Sequence, residues 1–103
     1  MNTLLLQNQK AIETICQKNG VKALFLFGSA LKNDLPENSD VDLAVVFKED
    51  LSPLERGDAF FEVLHSLETL LNRRIDLVSY SVIRNPIFKQ EVDRTKVTLY
   101  AAA

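Results

Sequence analysis

Two apolar runs, Val21–Phe27 and Val41–Phe47, constrain this chain more than any other feature, and what bounds them matters as much as what fills them. The first is continuous and rich in Leu and Phe, as expected of a central strand covered on both faces, and it stops at Gly28-Ser29. Asp40, separated from the Gly-Ser pair by ten intervening residues, precedes the second run, and Asp42 sits inside it. Residues two apart on a strand point to the same face, so the two carboxylates share one side of the sheet. Glycine suits a turn at which a phosphate must approach the backbone closely, and a helix start just beyond it would aim free N–H groups at that phosphate.

The rest of the chain supplies the layers around these strands. Leu5, Ile12, Ile15 and Cys16 fall near one face of a helical wheel, and Gly20 follows Asn19 as a terminator, which predicts a helix over residues 4–18. Residues 30–39 turn polar and hold Asn33, Asp34, Pro36 and Asn38, so they form a loop from the glycine bend to the aspartates. Ser52-Pro53-Leu54-Glu55 reads as a capping box with proline at the first helical position. Phe60, Val63, Leu64, Leu67, Leu70 and Leu71 form the apolar stripe of a long helix that follows it. Residues 74–78 alternate, with Arg74 and Asp76 on one side and Ile75 and Leu77 on the other, as in a half-covered strand. Asn85-Pro86 opens another helix with Ile87, Phe88 and Val92 on its apolar face, and residues 97–100 are extended. The order implies a small α/β sandwich of the α+β kind, with a mixed sheet and helices mainly on the face away from the acidic residues.

A chain of 103 residues fits one domain over 1–103, with a single modest core and little surface left for selecting an elaborate substrate. Twelve basic against fourteen acidic residues give a formal net charge of −2, too little positive field for a direct nucleic-acid grip. Cys16 is the only cysteine, so no internal disulfide forms, and its apolar neighbours mark it as a buried hydrophobe. Leu4-Leu5-Leu6 is too short for a signal-peptide core and nothing approaches a membrane span, so the expectation is a cytoplasmic protein without a membrane partner.

Asp40, Asp42 and Asp76 offer three carboxylates from two strands, a set that suits hard cations. Magnesium is the natural choice, because it binds a few carboxylates together with substrate phosphates. In a two-metal arrangement one ion activates an attacking hydroxyl and the other neutralises leaving pyrophosphate. The chemistry this implies is metal-assisted nucleotidyl transfer, with Asp40 and Asp42 bridging both ions and Asp76 holding the activating one. Lys32 in the loop reads equally as a contact to phosphate oxygens or as a solvated lysine. His65 reads as a helix-surface residue, Arg73 as a complement to the helix dipole, and Phe25, Phe27, Phe60 and Phe61 as core.

Phe27-Gly28-Ser29 through Ser39-Asp40-Val41-Asp42-Leu43 resembles the minimal nucleotidyltransferase (MNT) domains of the DNA polymerase β superfamily, and the likeness extends to Arg74-Ile75-Asp76-Leu77-Val78 and Val97-Thr98-Leu99-Tyr100. The resemblance implies a small polymerase β-like fold in which Gly28 and Ser29 hold a triphosphate, Asp40 and Asp42 bind metal, and Asp76 is the third carboxylate. MNT proteins are commonly encoded beside a helical HEPN-domain protein, the two forming a toxin–antitoxin pair and a hetero-oligomer. The implied activity is transfer of AMP from ATP to a tyrosine hydroxyl of the HEPN toxin. Relatives often carry arginines and a glycine where this chain has Ala30, Lys32 and Asn33. The alternatives are an antitoxin that neutralises its toxin by contact alone, and a nucleotidyltransferase acting on a small molecule of the aminoglycoside kind.

Overall fold

The computed structural model describes residues 3–28 and 40–103, which form a four-stranded mixed sheet with helices on both sides. The strands are β1 (Val21–Phe27), β2 (Val41–Phe47), β3 (Ile75–Ser79) and β4 (Val97–Ala101), in the spatial order β3-β2-β1-β4. The two apolar runs are thus the central pair, antiparallel to each other, with β4 antiparallel to β1 and β3 parallel to β2. The parallel β2–β3 pairing requires a long crossover, and α3 (Pro53–Leu71) provides it.

Alternation along β1 and β2 divides the interior into two unequal cores. Leu24 and Leu26 of β1, Val41, Leu43 and Val45 of β2, and Ile75 and Leu77 of β3 face the larger one. There they meet Leu5, Ile12 and Cys16 from the N-terminal helices and Ala59, Val63, Leu67 and Leu71 from α3. The smaller core lies on the opposite face, where Phe27 and Ala44 pack with Val92 of α4 (Pro86–Thr95), and Phe25, Val78, Tyr80 and Ile83 close around them. Among the described residues most helical mass therefore covers the side away from the aspartates, as the sequence predicts, while α4 crosses the other.

Helix starts match the expected chemistry. Glu55 N–H donates to Ser52 Oγ at 3.2 Å and Ser52 N–H donates to Glu55 Oε1 at 2.9 Å, a complete capping box ahead of α3. Asn85 Oδ1 accepts from the N–H groups of Ile87 and Phe88 at 2.9 and 3.1 Å at the start of α4. Asn72 ends α3 in the left-handed conformation at φ 52°, which asparagine tolerates better than most residues.

Three expectations need correction. The predicted helix over 4–18 is two pieces, α1 (Thr3–Gln7) and α2 (Gln9–Lys18), broken at Asn8. Asn8 donates its side-chain amide to the Leu4 carbonyl at 2.8 Å, and its N–H bonds tightly to Leu5 at 3.2 Å, so a local side-chain bond interrupts the regular ladder. Phe61, predicted as core, is 66% exposed, stacked edge-on against half-buried Phe60 at 5.5 Å, because the stripe centres on Ala59 and Val63, two residues to either side and so across the helix from it. Ile87 is exposed as well, leaving Val92 as the buried anchor of α4. Cys16 is buried as expected, and desolvation, helped by the Glu13 charge, pushes its thiol up to about 12. Among the described residues no helix is long and apolar enough to cross a membrane.

Candidate active site

The register of the sheet carries Asp42 into its position. Phe27 pairs with Asp42 across the antiparallel β1–β2 ladder, and Asp42 pairs with Asp76 across the parallel β2–β3 ladder. Directly paired residues share a face, and Phe27 and Ala44 place that face in the smaller core. The Asp42 and Asp76 carboxylates are therefore side-by-side neighbours on adjacent strands, at the end of the sheet where β1 finishes and β2 begins. Asp40, two residues before Asp42, stands exposed at the same mouth.

Gly28 completes the arrangement. It turns out of β1 at φ +74°, a conformation that L side chains rarely adopt. A Cβ built there would collide with Asp42 Oδ2 and come within 3.2 Å of Asp42 Cγ. The glycine is thus required twice, once by the backbone and once by the carboxylate lying against it. This is the close approach that the Gly-Ser spacing predicts, although the group seen pressing on the backbone is the aspartate.

Burial is the largest influence on Asp42 and raises its carboxyl above the ordinary range; the charges of Asp76 and then Asp40 push the same way. The charges of Asp40 and Asp76 thus repel that of Asp42, and a cation is the species that relieves them. Their oxygen donors fit a hard divalent ion. Among the described residues, however, no three His, Cys, Asp or Glu side chains close on one point. The pair Asp42–Asp76 is in register and Asp40 contributes from the rim.

Glu68 was not singled out by the sequence, yet it fixes the outer strand. Its Oε2 accepts from Ile75 N–H at 3.2 Å, while Val41 N–H donates to the Arg74 carbonyl at 3.0 Å, so the starts of β2 and β3 are tied just ahead of Asp42 and Asp76. A glutamate one turn before the end of an apolar helix was the available signal. Tyr80 was also missed. It lies on a single 3₁₀ turn (Tyr80–Val82) after β3, meets Phe25 edge-on at 5.8 Å and donates its hydroxyl to Asp93 Oδ1 at 2.5 Å. Together with Phe27 against Phe88 at 5.7 Å, this holds α4 onto the acidic face.

Other candidates fall elsewhere. Ser29 and Lys32, with Ala30 and Asn33, lie outside the described residues. His65 is exposed on α3, and Arg73 is half-buried in the turn leading to β3.

Comparison with known proteins gives this geometry its context. The family model described as polymerase beta, nucleotidyltransferase matches residues 9–103. A Thermococcus cleftensis protein named protein adenylyltransferase MntA is 36% identical over 94 residues, covering 86% of this chain and 91% of its own length. A solved toxin–antitoxin structure with AMP-PNP superposes with a TM-score of 0.70 at 25% identity, over 92% of this chain and 74% of that one. A second, of a tri-AMPylated Shewanella oneidensis HEPN toxin in complex with an MNT antitoxin, gives 0.65 at 22% identity over 95% of this chain and 73% of that one, a likeness of fold.

Proposed function

The chain belongs to the polymerase beta nucleotidyltransferase family, and from that premise we propose that it is a magnesium-dependent protein adenylyltransferase that moves AMP from ATP onto a tyrosine hydroxyl of a HEPN-domain toxin and so acts as its antitoxin. The observation that carries this reading is the registered Asp42–Asp76 pair with Gly28 pressed against it. Two strand-borne carboxylates beside a glycine bend are the parts that nucleotidyl transfer needs, and a structural protein gains nothing from gathering mutually repelling acids.

In this mechanism Gly28 and Ser29 cradle the triphosphate, with Lys32 adding charge to its oxygens. Asp40, Asp42 and Asp76 would hold magnesium, which supplies charge neutralisation for the leaving pyrophosphate and acidifies the acceptor hydroxyl. The acceptor oxygen attacks the α-phosphorus as the bond to pyrophosphate breaks. Asp76 lies on the outer strand and is exposed, which supports giving it the role of receiving the acceptor proton. Asp42, held from the Gly28 side, stays fixed under the nucleotide. Residues 1–103 act as one domain in this reading, since both cores share the β1–β2 pair. The acceptor comes from a partner protein in a hetero-oligomer, and the single buried thiol suits work in the cytoplasm.

Intact-mass measurement of the HEPN partner after incubation with this chain, ATP and magnesium tests the proposal. The expected result is an added AMP mass on tyrosine, lost with Asp40→Asn/Asp42→Asn. An unmodified partner inside a demonstrably formed complex refutes it. Protection of cells by the double variant would instead establish neutralisation by contact.

A further inference from the structure

At the end of the sheet opposite the aspartates, a cavity of about 290 Å³ opens between the start of β1, the end of β2, the first turn of α3 and the turn after β3. Its lining brings together Lys22, Lys48, Arg56, Ser79 and Ser81 with one acid, Glu49, over Val46 and Phe47. Three cations from three separate elements thus meet in one concavity of a chain whose formal net charge is −2. We infer that this cavity is a second anion site, which takes the phosphate groups of a small phosphorylated molecule and lies apart from the proposed catalytic mouth.

The cations are poorly satisfied by the protein itself. Lys48 has no side-chain partner among the described residues. Arg56 donates from Nη2 to the Leu51 carbonyl at 3.2 Å, and no carboxylate pairs with it among the described residues. Among the described residues Lys22 reaches only Glu49, at 3.9 Å, and that glutamate side chain is 93% exposed. A contact so long and so wet contributes almost nothing, so Glu49 swings aside at little cost when a stronger anion arrives. Ser79 makes no side-chain cap to the turn that follows it, and its hydroxyl, like that of Ser81, is a neutral donor suited to phosphate oxygens. A guanidinium fork and two ammonium groups around two hydroxyls are the donor set that phosphate recognition uses.

The volume suits a pyrophosphate or a nucleoside monophosphate better than a polymer, and half-buried Val46 offers an apolar surface for a base or sugar, while Phe47 is buried in the larger core beneath it. About five residues of β2 separate Asp42 from this cavity, roughly 16 Å at strand rise, so one ligand of this size does not span both.

The test is an amide NMR titration of the full chain with pyrophosphate, and separately with AMP, at constant low ionic strength and with EDTA present to exclude metal-driven binding at the aspartates. The expected result is saturable shifts at Lys22, Lys48, Arg56, Ser79 and Ser81, with Gly28 and Asp42 unmoved. AMP saturating at lower concentration than pyrophosphate would assign the Val46 surface to a nucleoside, and the reverse order would assign the site to the phosphates alone. Lys48→Ala and Arg56→Gln should each weaken binding by about tenfold or more, the usual worth of a charged hydrogen bond. Shifts that grow linearly without saturating, or equal binding by both variants with native spectra, overturn the inference. Neither outcome bears on adenylyl transfer, which the partner's mass reads independently.

Discussion

Gly28→Ala tests the link between the bend and the carboxylate, because the structure assigns that one added methyl two separable costs. At φ +74° an alanine takes a left-handed conformation, worth about 1–2 kcal/mol. The methyl also collides with Asp42 Oδ2 and stands 3.2 Å from Asp42 Cγ, an overpacking that costs about 1–3 kcal/mol. The variant should therefore lose roughly 2–5 kcal/mol, a large share of the about 5–15 kcal/mol that holds a domain of this size. Only the steric part depends on Asp42. The built methyl lies 3.4 Å from Asp42 Cβ, ordinary van der Waals contact, so Asp42→Ala makes room for it. A double-mutant cycle by urea denaturation should give a favourable coupling of about 1–3 kcal/mol, leaving the double variant short by the backbone cost alone. Additive single effects would show that Gly28 and Asp42 do not press on each other, and the account of why glycine occupies this position would fail.

Asp42 makes a further prediction through protonation. Its carboxyl binds a proton more tightly when folded than when unfolded, so stability falls as pH rises from the ordinary carboxylate range through the raised value. Asp42→Asn should therefore be slightly more stable than the parent at neutral pH, by under about 1 kcal/mol once solvent screening is allowed for, and equal to it in acid; thermal melts across pH check the sign, while AMP transfer is lost. Ser52→Ala removes the cap of α3 and should cost about 1 kcal/mol, seen as a melting temperature lower by about 4–8 °C. Leu67→Ala, at a fully buried position in the larger core, should cost about 2–5 kcal/mol by chemical denaturation. Cys16, with its thiol held up to about 12, should resist alkylation at pH 8 in the native chain and react once denaturant is added.

The strands and helix starts were legible because local chemistry determines them. Val41–Phe47 matches its predicted bounds, and Ser52 and Asn85 cap the helices they announce. Failures occur where a single side chain decides. Asn8 splits a helix whose apolar periodicity runs straight through it, since a wheel records which face is apolar and is silent on which carbonyl an amide takes. Phe60 and Phe61 both read as core from their spacing, yet one residue on a helix is a 100° rotation, enough to carry a ring from the stripe into solvent.

The site divides along the same line. Asp40 and Asp42 share a face by spacing alone, whereas the place of Asp76 depends on strand order, which no local pattern contains. With β3 next to β1, Asp76 would stand two strands away from Asp42. The order β3-β2-β1-β4 removes that ambiguity, and register then matters as much as order. A slip of one residue would turn Asp76 into the larger core and Leu77 out toward the aspartates. Burial of Ile75 and Leu77 forbids it, and the Glu68 bond to Ile75 N–H with the Arg74 bond to Val41 N–H pin the strand at its first residue. Apolar side chains facing away from the chemistry thus set the separation of the two acids. Glu68→Ala should accordingly loosen the acidic pair, lowering AMP transfer while Asp76 itself remains in place, and restoration of transfer by Glu68→Gln, whose carbonyl oxygen still accepts the Ile75 bond, would separate this positioning role from one of charge.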